Sequence, residues 1–165
     1  MGPNQQPLAA PTPDRAPGGQ GAGGDWAAVP WAPGGFSDRL PTLYARLATP
    51  GRAEVRFATG DAVRNPTGAV NGGFLAAMAE QTLFLPAYLG GQTDQFDCVT
   101  VDFGVQFLAL ASTGEELTGE VELLKLTGRM AFVRGTFRQG AGVVVAYTGT
   151  IRHGLARRAS GGRQK

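Results

Sequence analysis

One cysteine and one histidine are all that this 165-residue chain holds of two residue types central to metal binding and nucleophilic catalysis. The lone Cys98 excludes an internal disulfide and fits a reducing compartment. With His153 the only imidazole and no ligand-type spacing among the acids, no metal is expected. A membrane-length apolar run is missing too. The most apolar stretch is interrupted by Glu80 and stopped by Pro86, short of the ~20 residues a bilayer needs, so no membrane partner is expected. No charged-then-apolar leader opens the sequence, which makes a cytoplasmic location the default expectation. The net charge of +2 conceals an asymmetry. Five of the fifteen basic residues lie from Arg152 onward, where no acid occurs, leaving ten against thirteen acids elsewhere. That balance supplies no basic face for nucleic acid.

Proline is unevenly spread. Residues 1–35 hold seven of the eleven prolines and a glycine-rich run over 18–24, a composition that buries too little apolar surface to offset chain entropy. A flexible tail is expected there, with Trp26 and Trp31 the two residues equipped to dock. Residues 156–165 read as a second, basic and flexible tail. Residues 36–155 remain as one domain, large enough for a single core.

Within that domain, Leu40, Leu43, Tyr44 and Leu47 recur at helical spacing behind Ser37 or Asp38, which predicts a short amphipathic helix ended by Pro50-Gly51. Ala53 to Thr59 alternates as a strand. A loop follows, punctuated by Asn65-Pro66 and Thr67-Gly68. A helix then starts near Gly72 with Asn71 as its cap, apolar on every side and therefore buried, closing at Pro86 and Gly90-Gly91. The second half reads as strands over 96–110, 116–126, 129–138 and 143–151, joined by Thr127-Gly128 and a turn over 139–142. Strict alternation places Cys98, Thr100, Asp102 and Gly104 on one face, with Val99, Val101, Phe103 and Val105 on the other. Strands joined by tight turns pair antiparallel, so the expected architecture is α+β, a sheet curled around one apolar helix.

Glu80 is the anomaly in that helix. A carboxylate among apolar residues is costly to bury unless it is paired, hydrogen-bonded or protonated, and burial that raises its pKa suits a general base or acid. The Gly72-Gly73 pair is the second clue, because glycines admit a ligand close to the backbone and helix-start N–H groups polarise an oxygen gaining charge. Together they suggest acyl transfer or hydrolysis. Eight residues separate Gly72 from Glu80, about 12 Å along a helix at ~1.5 Å per residue. One carboxylate cannot span that distance, so both serve one substrate only if a two-fold axis brings them together from different chains. The plainer alternatives are a structural acid at Glu80, a turn at Asn65, close packing at the glycines and an ordinary strand residue at Thr100.

Asn65, Gly72 and Glu80, with Asn71-Gly72-Gly73 opening an apolar helix, resemble the hotdog-fold acyl-CoA thioesterases of the PaaI-like and 4-hydroxybenzoyl-CoA types, over roughly residues 36–155. The resemblance implies Gly72 as oxyanion donor and Glu80 as base or nucleophile, with Asn65 and Thr100 orienting water or substrate. Asn71 stands where that family usually has histidine. Beside Asn71 and Gly73, an apolar acyl pocket is expected from Phe74, Met78, and Leu83 or Phe84, and Arg129 is a candidate contact for coenzyme A phosphates. The implied partner is an acyl-CoA substrate on a homodimer or homotetramer, with no cofactor beyond the coenzyme A of the substrate. Two alternatives stay open: a non-catalytic acyl-CoA-binding protein, and a hydratase using His153.

Overall fold

Tight turns at residues 127–129 and 140–141 produce the antiparallel meander expected from the sequence. The computed structural model describes residues 25–31, 34–94 and 97–155. Its strands are β1 (Ala27–Ala28), β2 (Tyr44–Thr49), β3 (Arg52–Ala58), β4 (Cys98–Phe107), β5 (Glu116–Leu126), β6 (Met130–Gln139) and β7 (Gly142–His153). They form one antiparallel sheet in the order β1-β2-β3-β5-β6-β7-β4. Helix α1 (Gly72–Thr82) and the short α2 (Leu85–Leu89) lie between β3 and β4 in the chain. The helix breaks at Leu83–Phe84, and Pro86 falls in the first turn of α2, where its missing N–H is harmless. The arrangement is a hotdog fold.

The inner face of the sheet buries Val55, Phe57, Val121, Val133, Phe137 and Val145 against Leu75, Met78, Ala79 and Thr82 of α1. Two close approaches shape this contact. A Cβ at Gly149 would sit 2.5 Å from Leu83 Cδ1, so glycine opens the seat for the leucine at the helix break. The Tyr147 hydroxyl lies 2.6 Å from Thr82 Oγ1. Since Thr82 Oγ1 spends its proton on the Ala79 carbonyl, Tyr147 is the donor. Burial pushes the phenol well above its ordinary titration range.

Three features differ from the sequence expectation. The helix expected over 37–47 is only a 3-10 turn at Ser37–Arg39, and Tyr44–Thr49 is strand β2. Pro41 stops the turn, and the hairpin through Pro50-Gly51 pairs Ala45 with Val55, burying Leu43 and Ala45 on the inner face. Secondly, a bulge at Val101 breaks the alternation of β4. Thr100 pairs with the core residue Ile151 whereas Asp102 pairs with Thr150, so Thr100 shares the helix-facing side with Phe103 and Val105. Thirdly, the folded part reaches back past residue 36. Ala27–Ala28 pairs with β2, Val29 is buried, and Trp26 lies under the Arg46 and Arg56 guanidiniums at 4.8 and 4.3 Å from its ring centre. Trp31 packs edge-on against Phe84 at 6.4 Å. Residues 1–24, 32–33 and 156–165 of the two expected tails lie outside the described residues.

Candidate active site

Asn71 starts the helix as its spacing demands. Its Oδ1 accepts from the backbone N–H of Gly73 at 2.8 Å and of Phe74 at 3.3 Å, an N-cap that satisfies two helix-start donors. The Gly72 N–H is left with no acceptor among the described residues, at the positive end of the helix. Asn71→Ala is therefore expected to cost about 1 kcal/mol in denaturant unfolding, while Asn71→Asp, which keeps the acceptor, holds close to the parent.

The loop before the cap is tied down by Asn65. Its Oδ1 accepts from Thr67 N, Thr67 Oγ1 and Ala69 N at 2.8–3.0 Å, so the Nδ2 donors are what Asn65 retains for a substrate or water. Val70 N donates to the Ala111 carbonyl and anchors the loop beyond the end of β4.

Glu80 sits at the other end of α1, half-buried. Thr100 Oγ1 donates a short hydrogen bond to its Oε1, and Gln81 Nε2 donates to its Oε2 at 2.7 Å. No salt bridge reaches this carboxylate among the described residues. The bulge in β4 is what turns Thr100 toward it. A Cβ at Gly72 would meet the Phe107 ring at 3.4 Å, which fixes the second point of contact between helix and strand. Thus α1 and β4 run alongside in opposite directions, Gly72 over Phe107 and Glu80 over Thr100. Among the described residues β4 is the last strand of the sheet, with one edge unpaired.

A helix-start N–H without an acceptor among the described residues and a hydrogen-bonded carboxylate thus lie at the two ends of one helix. Residues 67–146 match the family model of the thioesterase superfamily. Among solved structures, a phenylacetic acid degradation-related protein of Ralstonia eutropha JMP134 is 27% identical, with a TM-score of 0.57 over 62% of this chain and 76% of that one. A point mutant of the phenylacetic acid degradation protein PaaI from Thermus thermophilus shares the fold at 23% identity and a TM-score of 0.61, covering 72% and 97%. A hypothetical thioesterase protein of Streptococcus pneumoniae TIGR4, solved with coenzyme A, does so at 18% and 0.61, covering 68% and 85%. No curated protein matches the chain.

Other contacts expected from the sequence fall in different surroundings. Met78 and Leu83, expected to line an acyl pocket, have 0% exposure and belong to the core. Phe74 and Phe84 are partly exposed, each packed edge-on against another aromatic ring. Gly73 is exposed beside the cap, and Arg129 is exposed in the β5–β6 turn. A groove of about 420 Å³ with Arg52, Glu54, Glu120, Glu122, Arg134 and Arg138 on its walls lies on the opposite face of the sheet, away from Glu80. His153 does not reach the helix acid, because its Nε2 lies 3.0 Å from the Thr127 carbonyl.

Cys98 is half-buried with its thiol on the Asp94 carbonyl, and burial raises its pKa. At pH 8 it is expected to react with a disulfide reagent more slowly than free cysteine, a rate read directly by thiolate release. Two contacts were not anticipated from sequence. Gln81 touches Glu80, and Ser37 Oγ donates to Gln81 Oε1 at 2.8 Å. The available signal was polarity, since Glu80, Gln81 and Thr82 are the only polar side chains within α1.

Proposed function

We propose that this protein hydrolyses an acyl-CoA thioester to the free acid and coenzyme A, at a site shared by two copies of the chain. The observation that carries this reading is Glu80, held by Thr100 beside an open strand edge, with an unengaged Gly72 N–H at the far end of the same helix. The edge is long and apolar, exposing Val99, Val101 and Phe107, and such an edge calls for a partner strand. Because α1 and β4 run in opposite directions, pairing β4 with a second β4 about a two-fold axis reverses one copy against the other. Glu80 of one chain then faces the helix start of its partner, closing the ~12 Å gap within a single helix.

In that arrangement the Gly72 N–H polarises the thioester carbonyl and stabilises the negative charge that develops on its oxygen. Glu80 takes a proton from water as it attacks the carbonyl carbon, or attacks directly to form a mixed anhydride that water then opens. Either route breaks the C–S bond and releases the thiolate of coenzyme A. Asn65 Nδ2 and the Thr100 hydroxyl orient the water or acyl group. Phe74 and Phe84, rather than the core residues Met78 and Leu83, are available to apolar acyl chains. Arg129 is an exposed cation for the nucleotide phosphates. Bound coenzyme A in the pneumococcal protein and acetyl-CoA in smu.793 of Streptococcus mutans support this ligand class.

Asn71 favours a second reading, an acyl-CoA-binding protein without turnover. It occupies the place of a histidine in the family resemblance, and its oxygen is committed to capping. A thiol-release assay over a panel of acyl-CoAs separates the two. Release of coenzyme A above the uncatalysed rate supports hydrolysis, whereas saturable binding without release supports the binding protein. Loss or addition of water instead would indicate a hydratase, for which His153 is poorly placed.

A further inference from the structure

We infer that Gln81 and Ser37 form a positioning relay that fixes the Glu80 carboxylate, so that a segment preceding the matched thioesterase region completes the active site. The inference rests on the functional reading of Glu80 given above. A carboxylate accepts and does not donate, so the Gln81 Nε2 must face Glu80 Oε2, as it does at 2.7 Å. That leaves the Gln81 carbonyl oxygen pointing away, where the Ser37 hydroxyl donates to it at 2.8 Å. The direction of every proton in the chain from Ser37 through Gln81 to Glu80 is therefore determined. Polarising the amide oxygen strengthens the donor at its other end.

Thr100 restrains one carboxylate oxygen from β4 and Gln81 restrains the other from the helix side. One bond alone would leave the carboxylate free to turn about its terminal torsion, a broad rotor in glutamate. Two bonds, one to each oxygen, set its plane. Neighbouring residues on a helix do not ordinarily face each other, so the Glu80–Gln81 contact requires Gln81 itself to be held. Ser37 does that from the 3-10 turn at Ser37–Arg39, outside residues 67–146.

The test is a double-mutant cycle in turnover, measured with the acyl-CoA released fastest by the parent protein. Gln81→Met preserves length and packing but removes both hydrogen bonds. It is expected to lower kcat about tenfold with KM within about twofold, the scale of losing one hydrogen bond to a charged group. Ser37→Ala should lower kcat about threefold and Ser37→Thr should restore it, while Ser37→Ala adds nothing in the Gln81→Met background. Wild-type kcat in both variants beside an inactive Glu80→Gln overturns this inference alone. So does full additivity of the two losses, or a loss in Ser37→Thr equal to that in Ser37→Ala. Full turnover in Glu80→Gln sinks the functional reading and this inference with it. Melting temperatures accompany each variant, and if Gln81→Met fails to fold, the Ser37→Ala and Ser37→Thr pair decides.

Discussion

Glu80→Gln is expected to lower kcat at least about a hundredfold, the usual scale for losing a catalytic acid–base group, with a melting temperature close to the parent's. The substitution exchanges one carboxylate oxygen for an amide nitrogen and changes volume little. The remaining amide oxygen still accepts from Thr100, and a flip of the Gln81 amide, followed by rotation of the Ser37 hydroxyl, restores a bond to the new NH2. No cation in the described residues is left without its counter-charge by the change, since no ion pair involves Glu80. What disappears is the ability to take a proton from water or to attack as a carboxylate. Both catalytic routes share that requirement, so the prediction holds for either. Coenzyme A binding should persist, which separates a chemical defect from an unfolded site. Turnover within a few fold of the parent would remove Glu80 from the mechanism.

The sequence made the meander, the capped helix and the lone helix acid legible because each is a local pattern. Asn71 caps what its spacing said it would cap, and the turns near Gly128 and Gly140 join the strands they were expected to join. The failures are all non-local. Leu40, Leu43, Tyr44 and Leu47 fit a helical stripe, yet Leu43 and Ala45 also fit a strand face, and the pairing of β2 with β3 decides between them. The bulge at Val101 depends on β7 across the sheet and has no signature within β4 itself. It is also what delivers Thr100 to Glu80, on the side shared with Phe103 and Val105 that simple alternation would deny it. The Ser37–Gln81 contact joins residues 44 positions apart, beyond any periodicity. Glu80, finally, is only half-buried in the single chain, and in the proposed two-chain site the partner would supply the rest of its enclosure.

Gly119→Ala is expected to be among the most disruptive small substitutions in the sheet, lowering stability by about 3 kcal/mol, the upper part of the usual range for overpacking a core. In an ordinary strand alanine would improve on glycine, because it costs less backbone entropy on folding. Here a Cβ on Gly119 would lie 2.6 Å from Phe137 Cδ1, 2.7 Å from the Thr136 carbonyl oxygen and 2.9 Å from Val55 Cγ2. Phe137 and Val55 are the residues paired with Gly119 on either side, in β6 and β3, so the intruding methyl is caught between both neighbouring strands. The Phe137 ring cannot step aside, being fully buried and packed against Phe57 at 5.1 Å and Tyr147 at 5.3 Å. The Thr136 carbonyl is backbone and moves only if the β5–β6 ladder moves with it. Strain at this point passes through Tyr147 to Thr82 at the end of α1, two residues from Glu80. Thermal and denaturant unfolding should both register the loss. Gly140→Ala, in the β6–β7 turn where nothing lies within 4 Å of a Cβ, isolates the packing effect by changing only the strain of a positive φ of 55°. A Gly119→Ala protein as stable as the parent would show that β3, β5 and β6 are packed less closely than this geometry requires.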